Sequence, residues 1–323
     1  MSAGNRPLIV IRGDDPVQVA GSQHLDRLRP YGEVVLYRDR PKDDAEKIRR
    51  AAEARVLINS RSPVKWPGHV LRQLPKLRFI TVCGIGTDAI DLEAARELGI
   101  VVSNIPGRTA AIVAEHALAL ALAAARRLAF QTSELKAGRW TNQDMIFLVG
   151  KTLGVVGTGA IGSRLIQLGR AIGMHALAWT FHPTPGRAAE LGVAFVELDE
   201  LLRQSDVVSI HLKLTPQSRQ LIGQRELSLM KPGSILVNTA RAAIVDTGAL
   251  VESLQSGHLA GAGLDVFDAE PLPPDHPIVQ CDSVVLTPHN ADQTPEGFDI
   301  LNAGVVENVI AFLEGRPQNV VTQ

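Results

Sequence analysis

Arg241, Asp265, Glu270 and His289 each sit at or just past the end of a short apolar run. Asn238-Thr-Ala-Arg241 places a guanidinium beyond the run 235–237. Leu264-Asp265-Val-Phe-Asp-Ala-Glu270-Pro271 places carboxylates beyond the next, and Thr287-Pro-His289 adds an imidazole after a third. In a parallel sheet the carboxyl ends of all strands share one edge, and ligands bind there. Singly, each residue has an ordinary explanation: a surface arginine, a capping aspartate, a loop glutamate, a satisfied histidine. Together they suit one chemistry. An arginine grips a carboxylate through two parallel hydrogen bonds and polarises the carbonyl beside it. A histidine next to a carboxylate favours its protonated form and can deliver a proton as hydride arrives at carbon. Glu270 is then the partner of His289, which acts as acid in reduction and base in oxidation. Reduction of a 2-keto acid is the reaction such a set serves.

Hydride needs a carrier, and Thr152-Leu-Gly-Val-Val-Gly-Thr-Gly-Ala-Ile-Gly162 supplies a place for one. An apolar strand runs into Gly157-x-Gly159-x-x-Gly162, and helix-compatible sequence follows. Gly157 allows the tight turn, Gly159 presents no Cβ to a pyrophosphate, and Gly162 lets the helix press on the strand. The N-terminal N–H groups and positive dipole end of that helix then face the phosphates. An acidic residue closing the next strand normally accepts from the adenosine ribose. Here that position is Thr180, with no carboxylate to repel a 2′-phosphate, while His182 and Arg187 are the cations near it in sequence. NAD and NADP both stay open.

The elements that must position these groups alternate regularly. Apolar strand patterns at 8–11, 34–37, 56–59, 77–82 and 100–103 alternate with helical patterns at 17–28, 44–54 and 92–98. Strands at 175–180, 193–195, 207–211, 234–238, 261–264 and 284–287 follow the glycine-rich loop. Such alternation implies α/β architecture with two doubly wound parallel sheets. Between the two sets, 106–130 reads as one long helix of Ala and Leu, apolar on every side and therefore expected to be buried all round, as a connector and dimer element. The stretch 296–313 reads as an amphipathic helix.

The totals exclude several classes. A length of 323 residues fits about two domains. Lys and Arg number 33 against 34 Asp and Glu, so no net field draws in nucleic acid or an anionic membrane. Cys83 and Cys281 have neither metal-ligand spacing nor disulfide-scaffold density, which points to a reducing compartment and no metal. With no apolar signal core and no apolar run near the roughly 18 residues of a membrane span, the expected location is cytoplasmic.

Gly157-Thr-Gly-Ala-Ile-Gly162, Val237-Asn-Thr-Ala-Arg241, Gly263-Leu-Asp-Val-Phe-Asp-Ala-Glu-Pro271 and Thr287-Pro-His289 resemble the D-isomer-specific 2-hydroxyacid dehydrogenase family. Val82-Cys-Gly-Ile-Gly-Thr-Asp-Ala-Ile-Asp91 and Ser103-Asn-Ile-Pro-Gly107 extend the likeness over nearly the whole chain. The resemblance implies two Rossmann-like domains with the active site in the cleft between them. Residues 103–287 would bind the dinucleotide, and 1–102 with 288–323 would bind substrate. It implies Arg241, Glu270 and His289 as the catalytic set. Asp265 would hold the nicotinamide carboxamide, with Thr109, Ala240, Arg241 and His289 also at the nicotinamide end. Ala160 and Ile161 would meet the pyrophosphate, Thr180 the adenosine ribose, and His211 and Thr215 the adenine side. Backbone N–H groups of Gly84, Ile85 and Gly86 would bind the substrate carboxylate, and Arg61 a second anionic group. The expected function is NAD(P)-dependent interconversion of a small 2-keto acid and its D-2-hydroxy acid by a homodimer, with glyoxylate or hydroxypyruvate favoured. The chain leaves no room for the regulatory domain of longer phosphoglycerate dehydrogenases, though 3-phosphoglycerate dehydrogenase remains an alternative.

Departures from the family pattern are specific. Thr180 replaces an aspartate, Ala242 a glycine, and Asn290-Ala-Asp292-Gln293 is more polar than the usual segment. Asp292 aimed inward would oppose an anionic substrate, so it is expected to face away or to serve specificity. Two other readings share the fold. A dinucleotide-sensing corepressor is disfavoured by the lack of long disordered tails, and formate dehydrogenase by a carboxylate where that enzyme has glutamine, at Glu270.

Overall fold

The computed structural model describes residues 6–60 and 64–322, and the chain divides into two units, 1–109 with 293–323 and 110–292. In the first unit β1 (Leu8–Ile11), β2 (Glu33–Leu36), β3 (Ala54–Asn59), β4 (Phe79–Val82) and β5 (Val101–Ser103) form one parallel sheet in the order β2-β1-β3-β4-β5. Helices α1 (Asp44–Ala51), α2 (Gly68–Leu71) and α3 (Leu92–Glu97) connect them. Ile9, Val10, Ile11, Leu57, Ile58, Phe79 and Ile80 are fully buried, as strands covered on both faces must be. The expected helix at 17–28 is a 3-10 helix over Gln23–Leu28 alone. The reason is upstream: the buried Asp14 carboxylate accepts from the N–H groups of Gln18, Val19 and Ala20, holding the chain in a turn that competes with the helical ladder.

The second unit opens with α4 (Ala110–Ala125) and α5 (Leu128–Lys136). The continuous helix expected over 106–130 is therefore two, separated at Arg127, whose φ is +49°. Within its own unit α4 is covered on one face. Ala114, Ala117, Leu120, Ala121 and Ala124 pack against Val155, Leu165, Ile166 and Val237, whereas Leu122 is 37% exposed. Alanine on the outer face hid that asymmetry, because an Ala-rich helix shows no contrast between its sides. This makes α4 a core helix of its own unit.

A seven-stranded parallel sheet follows: β6 (Thr152–Val156), β7 (His175–Trp179), β8 (Ala194–Phe195), β9 (Val207–Ile210), β10 (Ser234–Asn238), β11 (Leu259–Leu264) and β12 (Val284–Leu286), ordered β12-β11-β10-β9-β6-β7-β8. Its helices are α6 (Ala160–Ala171), α7 (Pro185–Leu191), α8 (Leu198–Gln204), α9 (Gln224–Leu229) and α10 (Thr247–Gln255). The order reverses direction between β6 and β9, the kind of switch point at which open α/β sheets bind ligands. The chain then returns to the first unit as α11 (Pro295–Leu313), which buries Leu301, Val305, Val306 and Val309 with Ile9, Ile58 and Phe79. Among the described residues no helix is long and apolar enough to cross a membrane.

Candidate active site

The loop between β6 and α6 has the shape a dinucleotide requires. Gly157 takes φ +101°, and a Cβ there would lie 2.7 Å from the His211 carbonyl oxygen. A Cβ on Gly162 would lie 2.0 Å from the Gly157 carbonyl oxygen, so only glycine lets α6 start this close to the strand. Around Gly159 the same test meets nothing within 4 Å, leaving the loop open where a pyrophosphate would approach. Gly159 is also the N-cap and offers α6 no side-chain acceptor. Ala160, Ile161 and Gly162 thus form the first turn of a twelve-residue helix whose positive end faces that opening. The residues fit the group on each point.

At the position expected to meet the ribose, Thr180 follows β7 directly, half-buried, and His182 is exposed. Arg187, in α7, donates through Nη2 to the Thr158 carbonyl (3.0 Å) and the Ser163 hydroxyl (2.6 Å), and pairs through Nη1 with Glu190 (2.7 Å). A guanidinium therefore rests on the glycine loop itself. His211 follows β9; burial pushes its imidazole pKa down to about 3, so it is neutral, bonded to Ser209 at 2.8 Å. Thr215 opens a turn closed by Ser218, whose hydroxyl accepts from the Thr215 N–H at 2.8 Å.

At the carboxyl edge of β10–β12 the reactive groups meet. Asn238 organises the turn after β10, accepting from the Ala240 N–H and donating to the Arg241 carbonyl, each at 3.0 Å. Arg241 Nη1 donates to the Ala240 carbonyl at 2.7 Å. Glu270 Oε2 lies 2.8 Å from His289 Nδ1, and Glu270 Oε1 accepts from the Phe267 N–H at 3.0 Å. Partial desolvation works to raise the Glu270 pKa. The His289 and Phe267 hydrogen bonds and the nearby Arg241 charge outweigh it, and the carboxyl ends below its ordinary value. An ionised carboxylate only accepts, so Nδ1 of His289 must be the donor, which leaves Nε2 as the nitrogen on the side of the ring away from Glu270.

His289 has φ +51°, a left-handed conformation costing about 1–2 kcal/mol outside glycine. Its neighbours hold it there. The Asp265 side chain, 1% exposed, accepts from the Thr287 hydroxyl (2.6 Å), the Asn290 N–H (2.9 Å) and the Ala291 N–H (3.0 Å). Its carboxylate thus ties down the His289 turn, which spacing alone did not reveal. His116 of α4 joins this group, with Nε2 3.0 Å from Thr287 Oγ1. Sequence reading passed over His116, although a lone imidazole on a helix of Ala and Leu was its signal.

In the first unit Gly84, Ile85 and Gly86 follow β4 at the carboxyl edge of that sheet. The Gly84 carbonyl accepts from the Ile105 N–H (2.8 Å) and the Ile85 carbonyl from Asn104 Nδ2 (2.7 Å). Thr109 is fully buried just before α4. Arg61 lies outside the described residues.

Residues 118–291 match the family model of the D-isomer specific 2-hydroxyacid dehydrogenase NAD binding domain. The glyoxylate reductase of Aeropyrum pernix is 44% identical over 264 residues, which cover 79% of each chain. The D-3-phosphoglycerate dehydrogenase of Archaeoglobus fulgidus is 39% identical over 84% of this chain but only 52% of its own length, so the chain spans about half of that relative. A solved glyoxylate reductase structure from Paecilomyes thermophila is similar at a TM-score of 0.86 and 29% identity, with 98% of both chains covered.

Proposed function

The chain belongs to the D-isomer-specific 2-hydroxyacid dehydrogenase family, and from that premise we propose that Arg241, Glu270 and His289 catalyse the reduction of glyoxylate or hydroxypyruvate by a reduced nicotinamide. The activity itself is NAD(P)-dependent oxidoreduction between a 2-keto acid and its D-2-hydroxy acid. The observation that carries the residue assignment is the Glu270–His289 pair at 2.8 Å, on the same sheet edge as Arg241. A bound nicotinamide supplies or accepts the hydride. Arg241 grips the substrate carboxylate and polarises the adjacent carbonyl, His289 gives its Nε2 proton to the carbonyl oxygen, and Glu270 holds the resulting charge balance and ring orientation. In the first unit, the N–H groups around Gly84, Ile85 and Gly86 take the carboxylate, and Arg61 is assigned to the second anionic group that the phosphorylated alternative substrate carries. Asp265, Ala240 and Thr109, with Arg241 and His289, are assigned to the nicotinamide end, and Ala160, Ile161, His211 and Thr215 to the rest of the dinucleotide. The high identity to a glyoxylate reductase favours a small substrate over 3-phosphoglycerate. A panel of 2-keto acids assayed with NADH and NADPH tests this; turnover confined to phosphohydroxypyruvate would replace the substrate assignment.

NADP is accepted in this reading, because Thr180 brings no charge to the ribose end and Arg187 lies on the glycine loop. Introducing a carboxylate by Thr180→Asp should lower kcat/KM for NADPH relative to NADH by about tenfold or more. An unchanged ratio means that the ribose end lies elsewhere.

We further assign a homodimer, and a cytoplasmic location consistent with Cys83 and Cys281 standing outside any disulfide among the described residues. No residue of α5 is buried, and Trp140 and Phe147 beyond it are 85% and 69% exposed. An apolar surface of this extent on a chain of net charge −1 suits pairing with a second copy, without mutual repulsion. Trp140→Glu combined with Phe147→Glu should give a monomer by sedimentation; a dimer that survives both charges rejects this surface.

A further inference from the structure

We propose that His116 is a positioning residue for His289, acting through Thr287; this rests on the reading of His289 as the proton donor. The geometry fixes who donates to whom. The Asp265 carboxylate takes N–H bonds from Asn290 and Ala291 and can only accept, so the Thr287 hydroxyl spends its single proton on Asp265 Oδ1 at 2.6 Å. Toward His116 the Thr287 oxygen is therefore an acceptor, and the ring nitrogen 3.0 Å away must carry a hydrogen. That donor also sits 3.6 Å from Asp265 Oδ1, facing a carboxylate that is 1% exposed. His116 thus satisfies the second side of the hydroxyl that anchors one end of the turn 287–291, while the Asn290 and Ala291 amides anchor the other. Between the two anchors stands His289 with its left-handed backbone. The imidazole reaches from α4, a helix whose inner face is packed into the unit's core, so it links the turn to a rigid element. Among the described residues Asp265 is the charged group at this contact, and no proton transfer by His116 is required.

The test replaces the ring and then restores only its N–H. His116→Leu should fold, since the side chain is 23% exposed, and should lower kcat about 10–100-fold while dinucleotide affinity stays within about twofold. His116→Gln, whose amide can donate to Thr287, should recover most of the rate. In a His289→Asn background, His116→Leu should cost almost nothing more, because the group being positioned is gone. Wild-type kcat in His116→Leu, no rescue by glutamine, or a full additional loss in the His289→Asn background each overturns the proposal. If His116→Leu does not fold, His116→Met, which fills similar space without a donor and leaves the Thr287–Asp265 bond in place, is read in the same way. Full activity of His289→Asn alone would instead remove the underlying reading of His289.

Discussion

Replacing His289 by asparagine should lower kcat for keto-acid reduction by about 10³-fold or more, the scale of a lost general acid, and leave dinucleotide affinity within about twofold. Asparagine is the informative replacement because the position has φ +51°. Asn enters the left-handed region more readily than Ala, so the turn keeps its shape and the loss reports on chemistry rather than on released strain. Its amide also cannot carry a titrating proton. In the wild type, Glu270 stays ionised through neutral pH because its pKa is held down by the His289 and Phe267 bonds and by Arg241. Stopped-flow or steady-state absorbance of the reduced nicotinamide, with dinucleotide binding followed by fluorescence, separates the two quantities. A variant that keeps a rate within tenfold of wild type removes His289 from the chemistry.

How much of this could be read without coordinates follows from what each feature depends on. Strands such as β1, β3 and β10 were legible because a parallel strand covered on both faces carries a near-continuous apolar run, and their sequences contain LIVI, VLI and ILV. The glycine loop was legible because steric demands at Gly157 and Gly162 leave no other residue type. Helix limits were less so. Nothing local announces that Asp14 will capture three amides and shorten the helix before Leu28, or that α4 ends at a left-handed Arg127. The same limit applies to the site. Glu270 and His289 carry reactive types, so their candidacy could be read. The burial of Asp265 beneath Thr287, Asn290 and Ala291 depends on a loop folding back over 20 residues later, and a list of motifs contains no such path. His116 shows the limit from the other side. Its partner is 171 positions away, a separation at which spacing carries no information.

Arg241 makes the second large expectation, and the useful change is the one that keeps the charge. Arg241→Lys should lower kcat/KM by about 10²-fold or more, while Arg241→Gln should lose a further factor of about ten. Lysine retains the positive charge that attracts an anionic substrate. It presents that charge as a compact ammonium with no planar fork, so it cannot hold a carboxylate by two parallel bonds and fix the keto group toward His289. The backbone argument supports the same outcome. Asn238 pins the Arg241 carbonyl and the Ala240 amide at 3.0 Å, and Nη1 is tied to the Ala240 carbonyl at 2.7 Å, so the guanidinium is oriented before substrate arrives. A lysine ammonium has no second nitrogen with which to keep that tie and still engage a ligand through a rigid pair of donors. The loss should appear in kcat as well as KM, because polarisation of the carbonyl strengthens as negative charge develops on its oxygen. A change confined to KM would show that Arg241 only binds the carboxylate. An unchanged kcat/KM in Arg241→Lys would show that the charge suffices and that the fork geometry contributes nothing to the reaction.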